Sequence, residues 1–485
     1  MAADTHTPAS EQTGQQPELR KVLGPVQLTA LGIGGIIGTG IFVITGKAAA
    51  LYAGPAIVIS FVIAGIGCVF AALCYAEFAA MIPMSGSAYT YSYAAFGRFW
   101  GWVIGWDLAL EYGVAASTVA VGWTGYFKDL LKDAFGVALP DAFSSAPLGK
   151  GPEGDLILTG AVLNVPAAAI VLLLTALLVV GIRASATTNG LIVLLKVGIV
   201  LAVIIFGLPL IHAANLDPFI PENTGKFGEF GWSGILRGAG AIFFAYIGFD
   251  SVSVAAQESR NPQRDLPIGI LASLGVCTVL YILMSLTMTG LTPYQTLNVD
   301  APVTVAIAAA PELNWLRIWV EVGAVAGLST VILVSLYGQT RIFYAMARDG
   351  FLPEMFATVH PVFQTPAAST VLIGVLVAVL AGVFPLDFLG EIVSVGTLIA
   401  FVLVCVGVIV LRIQRPNVLR PFKAPLSPIT PLLGIAVCGA MIYPLWEDTW
   451  FRVVGWFAVG LVIYLTYGVR HAKAPTWTLD DAPTK

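Results

Sequence analysis

The stretch Gly32-Ile33-Gly34-Gly35-Ile36-Ile37-Gly38-Thr39-Gly40 places five glycines within nine residues. It sits inside a run that is otherwise apolar from residue 27 to residue 53. Each glycine costs a helix interior about 1 kcal/mol relative to alanine, so a helix built on this run is set to unwind. A softer interruption occurs at Ala245-Tyr246-Ile247-Gly248-Phe249-Asp250, where a second apolar run ends in a charge. Everything around these two places has the composition of a chain that lives in lipid.

Of 485 residues, 58% are apolar and only 11% are charged, against roughly 25% charge in soluble domains. There are too few charges to cover a water-soluble surface of this size. A hydrocarbon core of about 30 Å needs roughly 20 apolar residues per helix. The sequence offers twelve such spans, near 27–53, 55–81, 99–127, 159–181, 187–212, 233–256, 267–291, 316–346, 367–384, 388–411, 427–446 and 451–470. A β-barrel would also satisfy every backbone group in lipid, but its strands alternate over about ten residues, whereas Ile170 to Val180 is apolar on every face. The expected fold is an all-α integral membrane protein.

An even number of spans puts both termini on one side, and lysine and arginine choose which. With the N-terminus inside, 15 basic residues fall on the cytoplasmic side and 8 on the outer side. Lys196 is left within a span. This predicts cytoplasmic termini, with the polar loop 128–158 and the acidic stretch 213–231 facing out. Residues 1–20 are polar and carry no cleavable signal pattern. The net charge of −4 gives no basic excess for a nucleic-acid backbone. The five cysteines lie in apolar runs, the four histidines are scattered, and neither pattern makes a metal site or a disulfide framework. No HExxH, GxSxG or clustered ligand pattern marks an enzyme, no repeated filter marks a channel, and no cofactor is implied.

The two interruptions fall in the first and sixth spans, which correspond if the chain is two repeats of five helices. Broken helices in matching positions point to a transporter site near the bilayer midplane. Unwound N–H groups face a carboxylate, freed carbonyls face an ammonium, and a small zwitterion satisfies both. The other reading is close helix packing on small residues. The match between the spans favours the first.

Taken together, Gly34-Gly35-Ile36-Ile37-Gly38-Thr39-Gly40-Ile41-Phe42, Phe243-Phe244-Ala245-Tyr246-Ile247-Gly248-Phe249-Asp250, Glu258-Ser259-Arg260-Asn261-Pro262 and Met346-Ala347-Arg348-Asp349-Gly350 resemble the amino acid permeases of the amino acid-polyamine-organocation superfamily. The likeness spans about residues 20–470 and is nearest to the bacterial relatives of cationic amino acid transporters. It implies a leucine-transporter-type fold of two inverted five-helix repeats, 25–213 and 232–411, joined by an outer connection at 214–231. Two extra helices at 412–470 and polar tails at 1–24 and 471–485 complete the chain. The implied activity is uptake of L-amino acids, as a proton symporter or as an exchanger. By the same resemblance, the backbone of Ile37, Gly38, Thr39 and Gly40 would hold the substrate carboxylate. Carbonyls near Phe244, Ala245 and Ile247 would take the ammonium, and Phe244 would gate the site. Ser335 would face the pocket and leave room for longer substrates; a serine bonded back to its own helix is the plainer alternative.

Ionisable groups at bilayer depth call for a partner or a task. Lys196 lies about eight residues, roughly 12 Å, inside the fifth span, and either a functional role or snorkelling to the interface accounts for it. The resemblance implies the first. In proton-coupled members a fifth-helix lysine stands where sodium-coupled relatives bind an ion, with Gly34, Ile37 and Ser329 or Thr330 as expected partners. Asp107 and Glu111 share a helix face. Glu111 assists proton movement, contacts a basic substrate side chain, or is a hydrogen-bonded structural acid. Glu77 and Arg98 belong to the cytoplasmic edge, and Arg317 with Glu321 reads as an outer ion pair. Oligomeric state leaves no trace in the sequence.

Overall fold

A computed structural model of the chain describes residues 23–82, 87–151, 156–181, 186–254 and 258–473. Of the expected tails, 1–22 and 474–485 lie outside the described residues, as does Arg183. Helix dominates the rest, and six stretches are long and apolar enough to cross a bilayer: Gly40–Met81, Gly190–Leu210, Pro262–Leu291, Pro311–Arg348, Leu386–Gln414 and Ile429–His471. Helix Ala186–Gly207 carries the logic of the whole. Its outer face consists of Leu191, Leu194 and Ile205, each at least 60% exposed, while Lys196 and Val200 are buried. Apolar side chains face outward and the charge faces inward, the reverse of a soluble helix. The chain is a multi-pass membrane protein.

Both expected interruptions are present. Helix Pro25–Ile36 stops at Ile37, which is extended (φ −72°, ψ 100°), and the chain resumes as a π turn, Gly40–Ile44. Helix Gly231–Ile242 tightens into a 3₁₀ turn at Phe243–Tyr246. It then opens at Ile247 (φ −58°, ψ 136°) and at Gly248 (φ 114°), and a short helix begins at Ser251–Val254. The start of the first helix is pinned to the chain just beyond the second break. Leu23 N–H donates to Glu258 and its carbonyl accepts from Arg260, at 3.0 and 2.9 Å.

Four features differ from the expected spans. The third span is not uniform: Arg98–Ala109 and Ala115–Phe135 are joined by a π turn, Leu110–Val114. The extra residue is accommodated where Tyr112 packs on Gly338 and Gly113 faces Gln339, two places without side-chain bulk. The loop expected at 128–158 holds the end of that helix, a short helix Asp141–Ser144, and an antiparallel hairpin pairing Leu148–Lys150 with Leu156–Leu158. Strands of three residues carry too little periodicity to read, so the all-α expectation misses this small sheet. A ten-residue helix, Ser87–Phe96, also escapes a search for long apolar runs. Finally, the spans expected at 427–446 and 451–470 are helical without interruption across Ile429–Ile463. Its limbs have different neighbours: Gly434 lies against Cys405, whereas Gly460 lies against Trp106.

Charges collect at the two ends of the bundle. At one end Glu77, 3% exposed, pairs with Arg412 and with Arg420 (3.4 Å) and accepts from the Ala424 N–H at 2.8 Å. At the other end Lys150, carried on the hairpin, reaches Glu391 at 2.6 Å and Asp448 at 3.4 Å. Arg452 also meets Glu391 at 3.3 Å, and Arg237 meets Asp448. Lys47 lies 3.0 Å from Asp300 and 3.7 Å from Asp387. In its loop Asp300 is held below the usual carboxylate range by the Lys47 charge. Arg317 meets Glu321 at 3.3 Å and Asp133 at 2.6 Å.

Removing one partner of a buried pair strands the other, a loss of about 3–5 kcal/mol. Glu77→Gln should therefore lower the thermal unfolding midpoint of the protein in detergent. An unchanged midpoint would show that Arg412 and Arg420 do not depend on this carboxylate.

Candidate functional site

The two interruptions face each other. A Cβ at Gly40 would lie 2.2 Å from the Ala245 Cβ and 2.3 Å from its Cα, so any side chain there would push the breaks apart. Unwinding frees carbonyls that lipid cannot satisfy, and the surrounding helices supply donors. Lys196, 1% exposed, donates to the carbonyls of Gly34 at 2.8 Å and Ile37 at 3.0 Å. Tyr281, from helix Pro262–Leu291, has its hydroxyl 2.8 Å from the Ile36 carbonyl and 2.7 Å from that of Ala245. One phenol thus bridges the two breaks, its single proton serving one carbonyl at a time.

Ser329 and Thr330 do not join Lys196. The eighth span presents Gly327 to the lysine, and its stem fills the space a side chain would take. Both hydroxyls fold back on their own helix: Ser329 donates to Val325 at 2.7 Å and accepts from Trp123 at 3.0 Å, and Thr330 donates to Gly327 at 2.7 Å. Neither carbonyl at the second break is wholly idle. That of Phe244 accepts from the Ile247 N–H at 3.2 Å, and that of Ala245 meets Tyr281. Each retains a second lone pair. Phe244 is buried, and Phe243 beside it packs on Phe401 with ring centroids 5.4 Å apart. The Tyr246 hydroxyl donates to the Phe61 carbonyl at 3.0 Å and is occupied structurally.

Around the first break, Thr39 is 1% exposed, and its hydroxyl has no hydrogen-bond partner among the described residues. An unmade bond of a buried hydroxyl costs about 1–3 kcal/mol. Gly38 faces Val331. Ser335, half-buried, is one turn further along the same face of that helix. Beneath the site Glu111 lies in the π turn, a form of backbone frequent at functional sites. Next to it Tyr112 donates to Asp250 at 2.6 Å. Asp107 is fully buried, with neither oxygen partnered among the described residues. No group of three His, Cys, Asp or Glu side chains could hold a metal there, again among the described residues.

Tyr281 was not readable from sequence. A tyrosine in an apolar span marks a polar tip seeking a partner, but nothing in its neighbours identifies two carbonyls far away in the chain. The π turn is equally silent, since a bulge leaves the apolar composition of the span unchanged.

The model of a family described as amino acid permease matches residues 23–466. Two proteins of Bacillus subtilis (strain 168) are similar over nearly their whole length. One is a methylthioribose transporter, 45% identical over 454 residues, covering 94% of this chain and 95% of the relative. The other is the branched-chain amino acid permease BcaP, 45% identical over 462 residues, covering 95% and 96%. A vacuolar cationic amino acid transporter 4 of Arabidopsis thaliana is 39% identical over 408 residues, covering 82% of this chain and 64% of the relative.

Tyr281→Phe removes the bridging hydroxyl while keeping the ring, which packs on Phe61 and Tyr246 at 5.3 and 5.4 Å. Faster amide exchange across residues 36–40 and 243–250, with helix Pro262–Leu291 unaltered, is the expected result by hydrogen-exchange mass spectrometry. Equal protection in the variant would show that the breaks hold their shape without the bridge.

Proposed function

The chain belongs to the amino acid permease family, and from that premise we propose that it is a secondary transporter carrying L-amino acids across the cytoplasmic membrane by proton-coupled symport. The observation that supports this most directly is the pair of facing breaks, with Lys196 and Tyr281 hydrogen-bonded to their carbonyls. In this reading the N–H groups of Gly38, Thr39 and Gly40 hold the α-carboxylate, with the Thr39 hydroxyl as an added donor, while the Ile37 N–H stays bonded to the Ile33 carbonyl at 2.9 Å. The carbonyls of Phe244, Ala245 and Ile247 hold the α-ammonium. Binding both charged ends through the main chain selects α-amino acids as a class and leaves the side chain to other walls.

The proposed architecture is the leucine-transporter type, with inverted repeats 25–213 and 232–411 and twelve spans. The continuous helix Ile429–His471 fits two of these. Its 43 residues are enough for two spans at roughly 20 residues each. The termini are cytoplasmic, and the Lys150 network then lies outside. Lys196 is the coupling residue: it binds the Gly34 and Ile37 carbonyls when protonated and releases them when neutral, which loosens the first break. Glu111 stands by as a proton acceptor below the site. In an exchanger, Lys196 would keep its charge throughout.

Uptake into liposomes of labelled alanine, leucine, arginine and lysine, with methylthioribose alongside, would test the substrate class. An inward proton gradient should drive uptake, and Lys196→Met should abolish that drive while exchange persists. Gradient-driven uptake that survives Lys196→Met would overturn the coupling role.

Closure of the outer end predicts a second result. Lys150→Cys with Glu391→Cys should be joined by a short bifunctional methanethiosulfonate reagent that spans the length of the two lost side chains, with little side reaction, since all five native cysteines are buried. The cross-link should stop uptake, and reduction should restore it. Full cross-linking with uptake intact would show that the outer end need not open there.

A further inference from the structure

We propose that a groove at the Glu77 end of the bundle binds one anionic phospholipid, with an acyl chain along its floor and the phosphate at its arginine-lined mouth. The site lies apart from the two breaks and does not depend on what the protein carries.

Three helices make the groove. Helix Leu386–Gln414 contributes Leu403, Val410 and Gln414, helix Ser87–Phe96 contributes Phe96, and helix Arg98–Ala109 contributes Trp100 and Ile104. Together they border a cavity of about 380 Å³. Phe96 draws the short helix onto the long one at Gly407, where a Cβ would come 2.8 Å from its ring. Ile104, 1% exposed, closes the floor, while Val406 and Trp100, at 38% and 42%, stand at the open side. In a multi-pass protein such an apolar opening faces lipid.

The length of the groove fits one acyl chain. Leu403 and Gln414 are eleven residues apart on one helix, about 16 Å, and half of a hydrocarbon core of about 30 Å is about 15 Å. Gln414 is the last residue of its helix, so the groove runs from the interface to about the bilayer midplane. A chain from one leaflet has this reach.

The mouth selects the headgroup. Arg415 directly follows Gln414, Arg98 stands two residues before Trp100, and both are exposed. Glu77 at this end is already answered by Arg412 and Arg420. Arginine meets a phosphate with parallel N–H donors, and basic pockets between spanning helices favour anionic headgroups. A zwitterionic lipid would bring an ammonium beside these arginines. Trp100 meets Phe99 edge to face, with ring centroids 5.3 Å apart, an aromatic pair suited to the level where headgroups meet hydrocarbon.

The test is native mass spectrometry of the full chain in detergent, titrated with palmitoyl-oleoyl phosphatidylglycerol or with phosphatidylcholine of the same chains. The wild type should hold one phosphatidylglycerol at least about tenfold more tightly than phosphatidylcholine. Val410→Trp fills the groove and should abolish that tight binding; where it does not fold, Val406→Trp, on the open side, should do the same. Arg98→Gln with Arg415→Gln should still bind lipid but bring the two headgroups within about threefold of each other. The inference is overturned if the wild type holds both lipids equally, if the tryptophan variant keeps phosphatidylglycerol as tightly as the wild type, or if the preference survives loss of both arginines. A wild-type dimer that Val410→Trp dissolves would also overturn it, since a second copy would then fill the groove.

Discussion

In a bilayer, every backbone carbonyl needs a donor from within the protein, and that constraint shapes this structure more than any other. Two helices are broken at matching points, and each break exposes carbonyls where lipid can offer nothing. Lys196 and Tyr281 answer them. Lys196 ties the carbonyls on either side of the Ile36 turn, while Tyr281 spans from the first break to the second. The contact between Gly40 and Ala245 then brings the two unwound segments close enough to act as a single site. Without these donors, the glycines that permit unwinding would be a defect.

The broken helices were legible because glycine density is a local property of sequence. Five glycines in nine residues predict an interruption with no knowledge of neighbours, and Ile37 is indeed extended. Lys196 was legible for a similar reason, since a lone charge in an apolar run demands explanation. What could not be read depends on pairs far apart in the chain. Nothing at Ser329 or Thr330 says that Gly327, rather than either hydroxyl, will meet the lysine. Nothing near Tyr281 names Ile36 and Ala245. The strands Leu148–Lys150 and Leu156–Leu158 are too short to carry a pattern.

The two ends of the bundle are built differently. Around Glu77 one carboxylate joins its helix to Arg412 and to Arg420 and Ala424 just beyond it. Around Glu391 the partners are spread along the chain: the Tyr52 hydroxyl at 3.4 Å, Lys150 and Arg452, with Arg237 joined through Asp448. Arg452 and Glu391 are both buried, whereas the pairs to Asp448 are partly exposed and individually weaker.

The π turn at Leu110–Val114 has a consequence for how such a protein can diversify. An extra residue in one turn rotates everything beyond it by about 100°. The third span is therefore a shaft with two phases. Its upper half keeps Gly122 against Thr39, and its lower half presents Asp107 and Glu111 on an independent bearing. Losing the extra residue would turn the lower half by about 100° and re-aim the acids while leaving the upper contact in register, so one half of the span can be retuned without rebuilding the other.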